Sequence, residues 1–347
     1  MNKKVLLGMS GGVDSSVSAV LLKERGYDVT GVTLNLFPCT SCCSYIDVKS
    51  LCRKIGVEHY ILDGKDDFKK YVIDDFIKSY DNCLTPNPCI ECNKYMKFGY
   101  MYKKAKELGC DYVATGHYAK VEYDEKYGKF VLRKSHAGRK DQSYVLWNIP
   151  KNMLEHVIFP LADFESKEKI REIAREHELP VANKPDSEDI CFIPDGDYKR
   201  FLEENSHIKP KPGNIILEDG TVVGKHTGLY HYTIGQRKGL GISYKVPLFV
   251  IGFNKKNNEL IVGEEHELYK KEVTIKDINL LLVDDIYKPL RVSVKTRYSS
   301  KEAVATATQI DDNTIKIVFD EPQARITPGQ SAVMYIDDIV VGGGKII

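Results

Sequence analysis

Two groups of residues in this chain have the types and spacing for covalent chemistry. The first is Ser10-Gly11-Gly12-Val13-Asp14-Ser15-Ser16. Two glycines let the backbone aim N–H groups at an anion, and a helix start behind them adds its positive end. Ser10, Ser15 and Ser16 supply hydroxyl donors, and Asp14 either holds a magnesium ion or orients the loop. The common nucleotide loop carries a lysine at this point, and this one does not. Taken alone, the string also suits a glycine-rich turn with a serine-capped helix.

The second group is made of thiols. Nine cysteines occur in the chain. Cys89-x-x-Cys92 stands at the start of a predicted helix, and Cys191 follows about a hundred residues later. A thiol near a helix N-terminus has its thiolate stabilised, which makes Cys92 the candidate nucleophile. Cys52 and Cys110 sit in apolar patterns and read as inert buried thiols. A structural zinc is the rival reading, because Cys39-x-x-Cys42 and Cys89-x-x-Cys92 are two CxxC pairs. Their separation is much longer than a zinc ribbon's, and Cys43 directly follows the first pair.

Elements must bring these groups together. Apolar runs predict strands over residues 5–9, 29–37, 57–62 and 111–115, with helical stripes near 13–26, 48–56, 68–80 and 93–108. Alternation of this kind predicts a doubly wound parallel sheet with ligands at the carboxyl ends of its strands. Val121/Tyr123 and Phe130/Leu132 alternate around Gly128, which predicts a hairpin projecting from it. A short helix is expected near 198–203. Beyond about residue 200 glycine and proline become frequent, and from about 272 only short strands remain, spaced as in a small antiparallel barrel. The predicted organisation is therefore a sheet domain over 1–200, a small mixed central domain over 201–271 and a C-terminal β-barrel over 272–347.

Composition sets limits on the rest. A chain of 347 residues with 42% apolar and 29% charged residues has material for more than one core. Its net charge of +1 means that any basic surface must be local. The apolar run at the N-terminus is too short for a signal peptide, and no stretch is long enough to span a membrane, so a soluble cytoplasmic protein is expected.

The string 10–16 resembles the pyrophosphate loop of the ATP pyrophosphatases, a family that includes GMP synthetase, argininosuccinate synthetase and the tRNA thiolases. The resemblance implies a grip on the β- and γ-phosphates of ATP and transfer of AMP to a substrate oxygen. A longer, ordered set of motifs resembles the bacterial tRNA-specific 2-thiouridylases nearly end to end. It comprises Cys42-Cys43-Ser44, "TPNPCIECN", "DYVATGHYA" (111–119), "KDQSY" (140–144), "ICFIPDG", "TIGQRKGLGI" (233–242) and "TPGQSAVMY" (327–335).

That resemblance implies roles residue by residue. Gly8, Met9, Ser10, Gly11, Gly12, Val13, Asp14 and Ser15 would form the ATP loop, with Leu34 and Gly116 touching the nucleotide. Cys92 would be the nucleophile and Cys191 the persulfide carrier. Asn87, Pro88 and Cys89 would surround the target base, and His117, Asp141, Gln142, Ser143, Arg297, Tyr298 and Gln330 would contact tRNA. The substrates implied are ATP with Mg2+ and a tRNA with a wobble uridine (lysine, glutamate and glutamine acceptors), together with an upstream sulfur donor protein or sulfide.

The chemistry is coherent by itself. A uridine C2 oxygen leaves poorly until AMP is attached to it. A persulfide on Cys191 then delivers sulfur, Cys92 cleaves the remaining S–S bond, and a Cys92–Cys191 disulfide remains to be reduced. The wobble base must be flipped out of its loop to be reached. Arg133-Lys134, Arg139-Lys140, Arg237-Lys238 and Lys270-Lys271 are local basic clusters for phosphates or ordinary solvated surface. Position 89 is aspartate in many relatives and Cys89 here. With Cys92 and Cys191 it makes three thiols, enough for a [4Fe–4S] cluster or for a redox pair that resolves the disulfide. Two other classes remain: an adenylating synthetase for a small carboxylate, and a non-catalytic nucleic-acid-binding protein with a structural zinc.

Overall fold

The computed structural model describes residues 2–37, 45–185 and 189–347. A parallel sheet of five strands begins the chain: β1 (Lys4–Gly8), β2 (Asp28–Asn35), β3 (Glu58–Asp63), β4 (Tyr112–Ala114) and, after a long excursion, β7 (Val157–Ile158). Their order is β3-β2-β1-β4-β7. Val5, Leu6 and Leu7 of β1 are fully buried, as expected for a central strand covered by helices on both faces. Val5 pairs with Val29 on one side and with Tyr112 on the other. The strand order therefore reverses at β1/β4, and the crevice that such a reversal opens lies beyond the carboxyl ends of those two strands. Residues 9–12 follow one of these ends and residues 115–117 the other.

Helix Val13–Glu24 connects β1 to β2, and helix Tyr45–Ile55 connects β2 to β3. From 65 to 81 and from 88 to 107 the chain is continuously helical, each run carrying a π-helical insert, Lys69–Ile73 and Cys92–Tyr100. The predicted hairpin forms as β5 (Ala119–Asp124) and β6 (Lys129–Lys134). Its turn, at Glu125, Lys126 and Gly128, is exposed, while its base is anchored. It joins the C-terminal sheet where Arg133 of β6 pairs with Ile339, and Arg133 also bonds Glu122, Asp124 and Asp338.

Helix Lys167–Glu176 and helix Tyr198–Asn205 lead to a small mixed sheet. Its strands are β8 (Gly213–Ile216), β9 (Val222–His226), β10 (Phe249–Asn254) and β11 (Glu259–Gly263), ordered β10-β11-β8-β9 with β11 and β8 parallel. Six antiparallel strands follow: β12 (Tyr269–Leu280), β13 (Leu290–Lys295), β14 (Ala303–Asp311), β15 (Thr314–Ala324), β16 (Ser331–Ile336) and β17 (Ile339–Ile346). Pairing of β12 with β17, Ile275 opposite Ile346, closes them into the expected barrel. Inward residues such as Val292, Val294, Ile315, Ile317 and Phe319 fill it, alternating with outward ones.

Barrel and parallel sheet share one core. Leu6, Val32, Tyr144 and Trp147 pack in a single cluster with Val333, Tyr335 and Val340. Thr85 N donates to Pro328 O at 2.9 Å, so the barrel rim also holds the segment that leads to Cys89 and Cys92. Among the described residues no helix is long and apolar enough to cross a membrane.

Candidate active site

β1 delivers the loop into the crevice. Met9 is buried and its N–H donates to Val32 O at 2.7 Å, so the loop leaves the sheet only at Ser10. Gly11 takes φ +74, a left-handed conformation, and a Cβ there would lie 2.9 Å from Val48. The helix behind the loop is not serine-capped. Its N-cap is Gly12, with no side-chain cap. The hydroxyls of Ser15 and Ser16 instead donate to Gly12 O at 3.1 and 2.7 Å. The first-turn N–H groups are thus left without a side-chain acceptor, the arrangement that binds phosphate.

Asp14 orients the loop. One carboxylate oxygen accepts from Tyr118 OH at 2.7 Å and the other from Lys167 Nζ at 2.6 Å. Each oxygen thus carries one hydrogen bond from the protein and keeps a second lone pair. A second cation, Lys184 Nζ, donates to Gly11 O at 3.0 Å. Arg171 fixes this lysine's segment by bonding Ala182 O and Lys184 O. The loop that lacks a lysine in sequence thus has two in space. Sequence reading missed both, because they arrive from 153 and 173 residues away. Gly116 closes the other wall. A Cβ there would lie 2.9 Å from Ser15 N and from the carbonyl carbon of Asp14. Only glycine lets the β4 end approach the helix start so closely. Gly8 ends β1, Val13 is the buried first residue of the helix, and Leu34 lies half-buried at the carboxyl end of β2.

Cys89 and Cys92 lie on the helical run from 88 to 107, and Cys191 lies in a turn ahead of helix Tyr198–Asn205. Asn87 Oδ1 accepts from Cys89 N at 3.2 Å and Pro88 occupies the first turn, so it is Cys89 that sits at the helix N-terminus. Cys92 lies one turn deeper in an apolar cluster with Phe68, Phe76, Met96 and Phe192. Burial pushes its thiol up to about 11, Lys97 opposing and Cys89 adding to the rise. The expected helix-terminus activation is therefore overridden. A terminus contributes about 0.3–1 kcal/mol, whereas each tenfold loss of ionisation corresponds to about 1.4 kcal/mol. Cys191 is pushed up to about 12, first by burial and then by the neighbouring Cys92 and Cys89, with Lys97 again opposing.

All three are free thiols that sense one another. Cys89 and Cys92 share one helical run, and Cys191 lies close enough to both to feel their charge. Among the described residues no group of three or more Cys, His, Asp and Glu is placed to hold a metal. Cys89, in the first helical turn, and Cys191 are exposed, and Cys92 is sealed in the apolar cluster. Cys39, Cys42 and Cys43, and with them the zinc reading of the first CxxC pair, lie outside the described residues.

Lys97 joins the two halves of the site. Its ammonium donates to His117 Nε2 at 3.3 Å, so Nδ1–H is left to donate to Thr115 Oγ1 at 2.7 Å. Burial, with Lys97 beside it, keeps His117 well below the usual histidine range, hence neutral at pH 7. Thr115, Gly116 and His117 thus connect the loop at residues 10–15 to the lysine that acts on both thiols.

The other expected RNA contacts are engaged within the protein. Asp141 is buried and accepts from Ser143 Oγ at 2.6 Å and Ser135 N at 2.9 Å, while Ser143 is fully enclosed. Gln142 Oε1 accepts from Tyr118 N at 2.9 Å, steadying the tyrosine that holds Asp14. Arg297 donates to Ile234 O at 3.0 Å and to Thr327 Oγ1, joining the central sheet to the barrel. Gln330 Nε2 donates to Thr85 O at 2.8 Å and Pro86 O at 3.3 Å. Tyr298 alone keeps an open ring, 38% exposed, with Lys295 Nζ 5.6 Å from its centroid.

Comparison with known proteins covers the whole chain. Three family models match in succession: the tRNA methyl transferase HUP domain over residues 3–195, the tRNA methyl transferase PRC-barrel domain over 199–264 and the aminomethyltransferase beta-barrel domain over 270–346. A curated protein of Clostridioides difficile (strain 630), tRNA-specific 2-thiouridylase MnmA, is 50% identical over 356 residues, which cover 100% of this chain and 98% of that protein. The protein of the same name from Acetivibrio thermocellus is 46% identical over 356 residues and 99% of each chain. Among solved structures, a 4-thiouridine synthetase in complex with RNA and bound ATP gives a TM-score of 0.38 at 22% identity, covering 58% of this chain and 50% of that one.

Proposed function

This chain belongs to the tRNA-specific 2-thiouridylase family, and from that premise we infer how its residues divide the work of making 2-thiouridine in tRNA with ATP. The observation that carries the reading is the Lys97–His117 bond, which links the residues after β4, beside the loop, to the helix that carries Cys89 and Cys92. The loop N–H groups, with Lys184 and Lys167 beside them, hold the β- and γ-phosphates. The C2 oxygen of the wobble uridine attacks the α-phosphate and pyrophosphate leaves. Magnesium would act as a counter-ion of those phosphates, with Asp14, held by Tyr118 and Lys167, as the carboxylate at the loop.

Sulfur transfer follows on the thiols. The terminal sulfur of a Cys191 persulfide, loaded by an upstream sulfur donor, attacks C2 and expels AMP. Cys92 attacks Cys191 Sγ as it gives up its proton, which replaces the one that N3 of the base lost on adenylation. The S–S bond to the base breaks, its electron pair returns to the C2-bound sulfur, and a Cys92–Cys191 disulfide forms. A cellular thiol reduces that disulfide before the next turnover. This relay uses two of the three thiols, Cys92 and Cys191, and its sulfur and electrons balance with a persulfide donor and a reducing thiol. Cys89, exposed beside the pair, suits the relay of reducing equivalents. Acceptors for lysine, glutamate and glutamine, met in the cytoplasm, are the tRNAs expected. Incubation with ATP, a persulfide donor and unmodified tRNA, followed by mass spectrometry of nucleosides, tests the whole reading. Absence of 2-thiouridine under those conditions would overturn it.

A further inference from the structure

We propose that a cleft in the central sheet unit is a second RNA site, which seats backbone phosphates and one unstacked base of the tRNA away from the reacting uridine. The cleft, of about 500 Å3, is formed by residues 237–248, with Arg237, Tyr244 and Lys245 on its wall. Arg237, Lys238 and Lys245 bring three positive charges, all exposed, and no carboxylate occurs anywhere between residues 233 and 248. In a chain whose net charge is only +1, this is a concentrated patch. Tyr244 is 40% exposed, with Lys245 Nζ 5.8 Å from its ring centroid, so an aromatic face and a cation stand together. That pairing binds a base and its phosphate at once.

The loop is shaped in advance. Gly235 N donates to Val250 O at 2.8 Å and Val250 N to Gln236 O at 2.9 Å, while Gln236 Nε2 donates to Lys238 O at 3.0 Å. The cleft also connects to the reaction centre along the surface. A Cβ on Gly235 would lie 2.8 Å from the side chain of Arg325, itself exposed on the barrel. Arg297 ties Ile234 to Thr327, and Gln330 ties the same rim to Thr85 and Pro86, two residues ahead of Pro88 and Cys89. A polyanion on the cleft therefore finds a further exposed cation, Arg325, on the side that leads to the barrel rim and the segment before the helix. The tRNA is the polyanion that must reach that helix, so the assignment rests on the thiouridylase reading.

The test is the salt dependence of tRNA binding. Each phosphate contact contributes about 0.7–0.9 to the slope of log affinity against log salt. Arg237→Ala/Lys238→Ala/Lys245→Ala should reduce that slope by about two and weaken tRNA binding roughly tenfold or more at moderate salt. Lys103→Ala/Lys106→Ala, which removes two charges from a helix outside the path, should leave the slope as it is. Tyr244→Ala should weaken binding about tenfold through lost base stacking, and Tyr244→Phe should retain it. A wild-type slope in the triple variant, an equal fall in the control pair, or equal loss in Tyr244→Phe and Tyr244→Ala would each overturn the proposal. Wild-type protein that binds no tRNA at any salt would instead remove the reading beneath it.

Discussion

At the scale of single residues, the two thiols are assigned separable roles. Cys191→Ser should abolish 2-thiouridine while tRNA-dependent pyrophosphate release continues, because activation of the C2 oxygen needs no sulfur. Cys92→Ser should stop product at the mixed-disulfide stage. Thiolation at the wild-type rate in either variant would end the assignment. Lys184 carries the converse expectation. Its contact with Gly11 O puts an ammonium at the phosphate loop, so Lys184→Met should cut pyrophosphate release by roughly a hundredfold, the loss of one charge-assisted contact to a transition state. Unchanged release would return Lys184 to a loop-bracing role. Neither lysine near the loop is legible in sequence. Its motif ends at Ser16, and nothing in the spacing of residues 167 and 184 points back to it.

His117 gives a pH expectation of definite sign. Burial lowers its proton affinity in the folded chain below the ordinary value near 6.5. Between that value and the lower folded one, the unfolded chain holds more protons, so stability rises with pH and is lost as pH falls below about 6.5. The slope is at most about 1.4 kcal/mol per pH unit for one site. His117→Gln should flatten this part of the stability profile in urea titrations from pH 7 to 5. A slope identical to wild type would show that His117 is not the group responsible.

At the scale of elements, the π-helical stretch Cys92–Tyr100 changes which residues share a face. In an α-helix five residues cover about 1.4 turns, so Lys97 would point well away from Cys92. Bonding of the i→i+5 type brings residues five apart into line. Lys97 thereby reaches the thiol side of the helix while still bonding His117. Helical periodicity locates the helix over residues 93–108 but is silent on this insert, since period-3.6 patterning cannot register a local change of winding. The same limit explains Cys92: CxxC at a helix start reads as an activated thiol, whereas the cluster of Phe76, Met96 and Phe192 that buries it is tertiary. Gln330 supplies the prediction at this scale. Its bonds to Thr85 and Pro86 mark it as a positioning residue for the segment before Asn87. Gln330→Ala should lower the maximal thiolation rate about tenfold and change tRNA affinity less than twofold, two lost hydrogen bonds being worth about 1 kcal/mol each. A fall in affinity with the maximal rate intact would make Gln330 a direct RNA contact instead.

At the scale of the whole molecule, the order of domains is readable along the chain, and their dependence on one another is not. Alternating strand and helix patterns announce the parallel sheet, and short, evenly spaced strands announce the barrel, because both patterns are local. The hairpin β5–β6 is equally local, yet its partner strand β17 lies about 200 residues away. The shared core makes a strong claim about folding. Trp147 and Tyr144, fully buried, belong to the first unit in sequence but are covered by Val333, Tyr335 and Val340 of the barrel. Tyr144 OH donates to Ser331 O at 2.9 Å, and Asn279 Nδ2 donates to Trp147 O and Ile149 O at 2.9 and 2.8 Å. Residues 1–200 expressed alone would expose these two rings, and burial of each large side chain is worth roughly 2–3 kcal/mol. That is a large share of a typical domain stability of about 5–15 kcal/mol. The first unit and the barrel should therefore melt together in calorimetry. Gly343→Ala probes the contact directly, because its Cβ would lie 2.8 Å from Ala332 O and 3.0 Å from the Trp147 ring. Overpacking there should lower stability by about 1–3 kcal/mol and shift the tryptophan-monitored and barrel-monitored transitions equally. Separate transitions, with only the barrel's displaced, would mean that the two units fold independently and that their common cluster is a docking contact rather than a core.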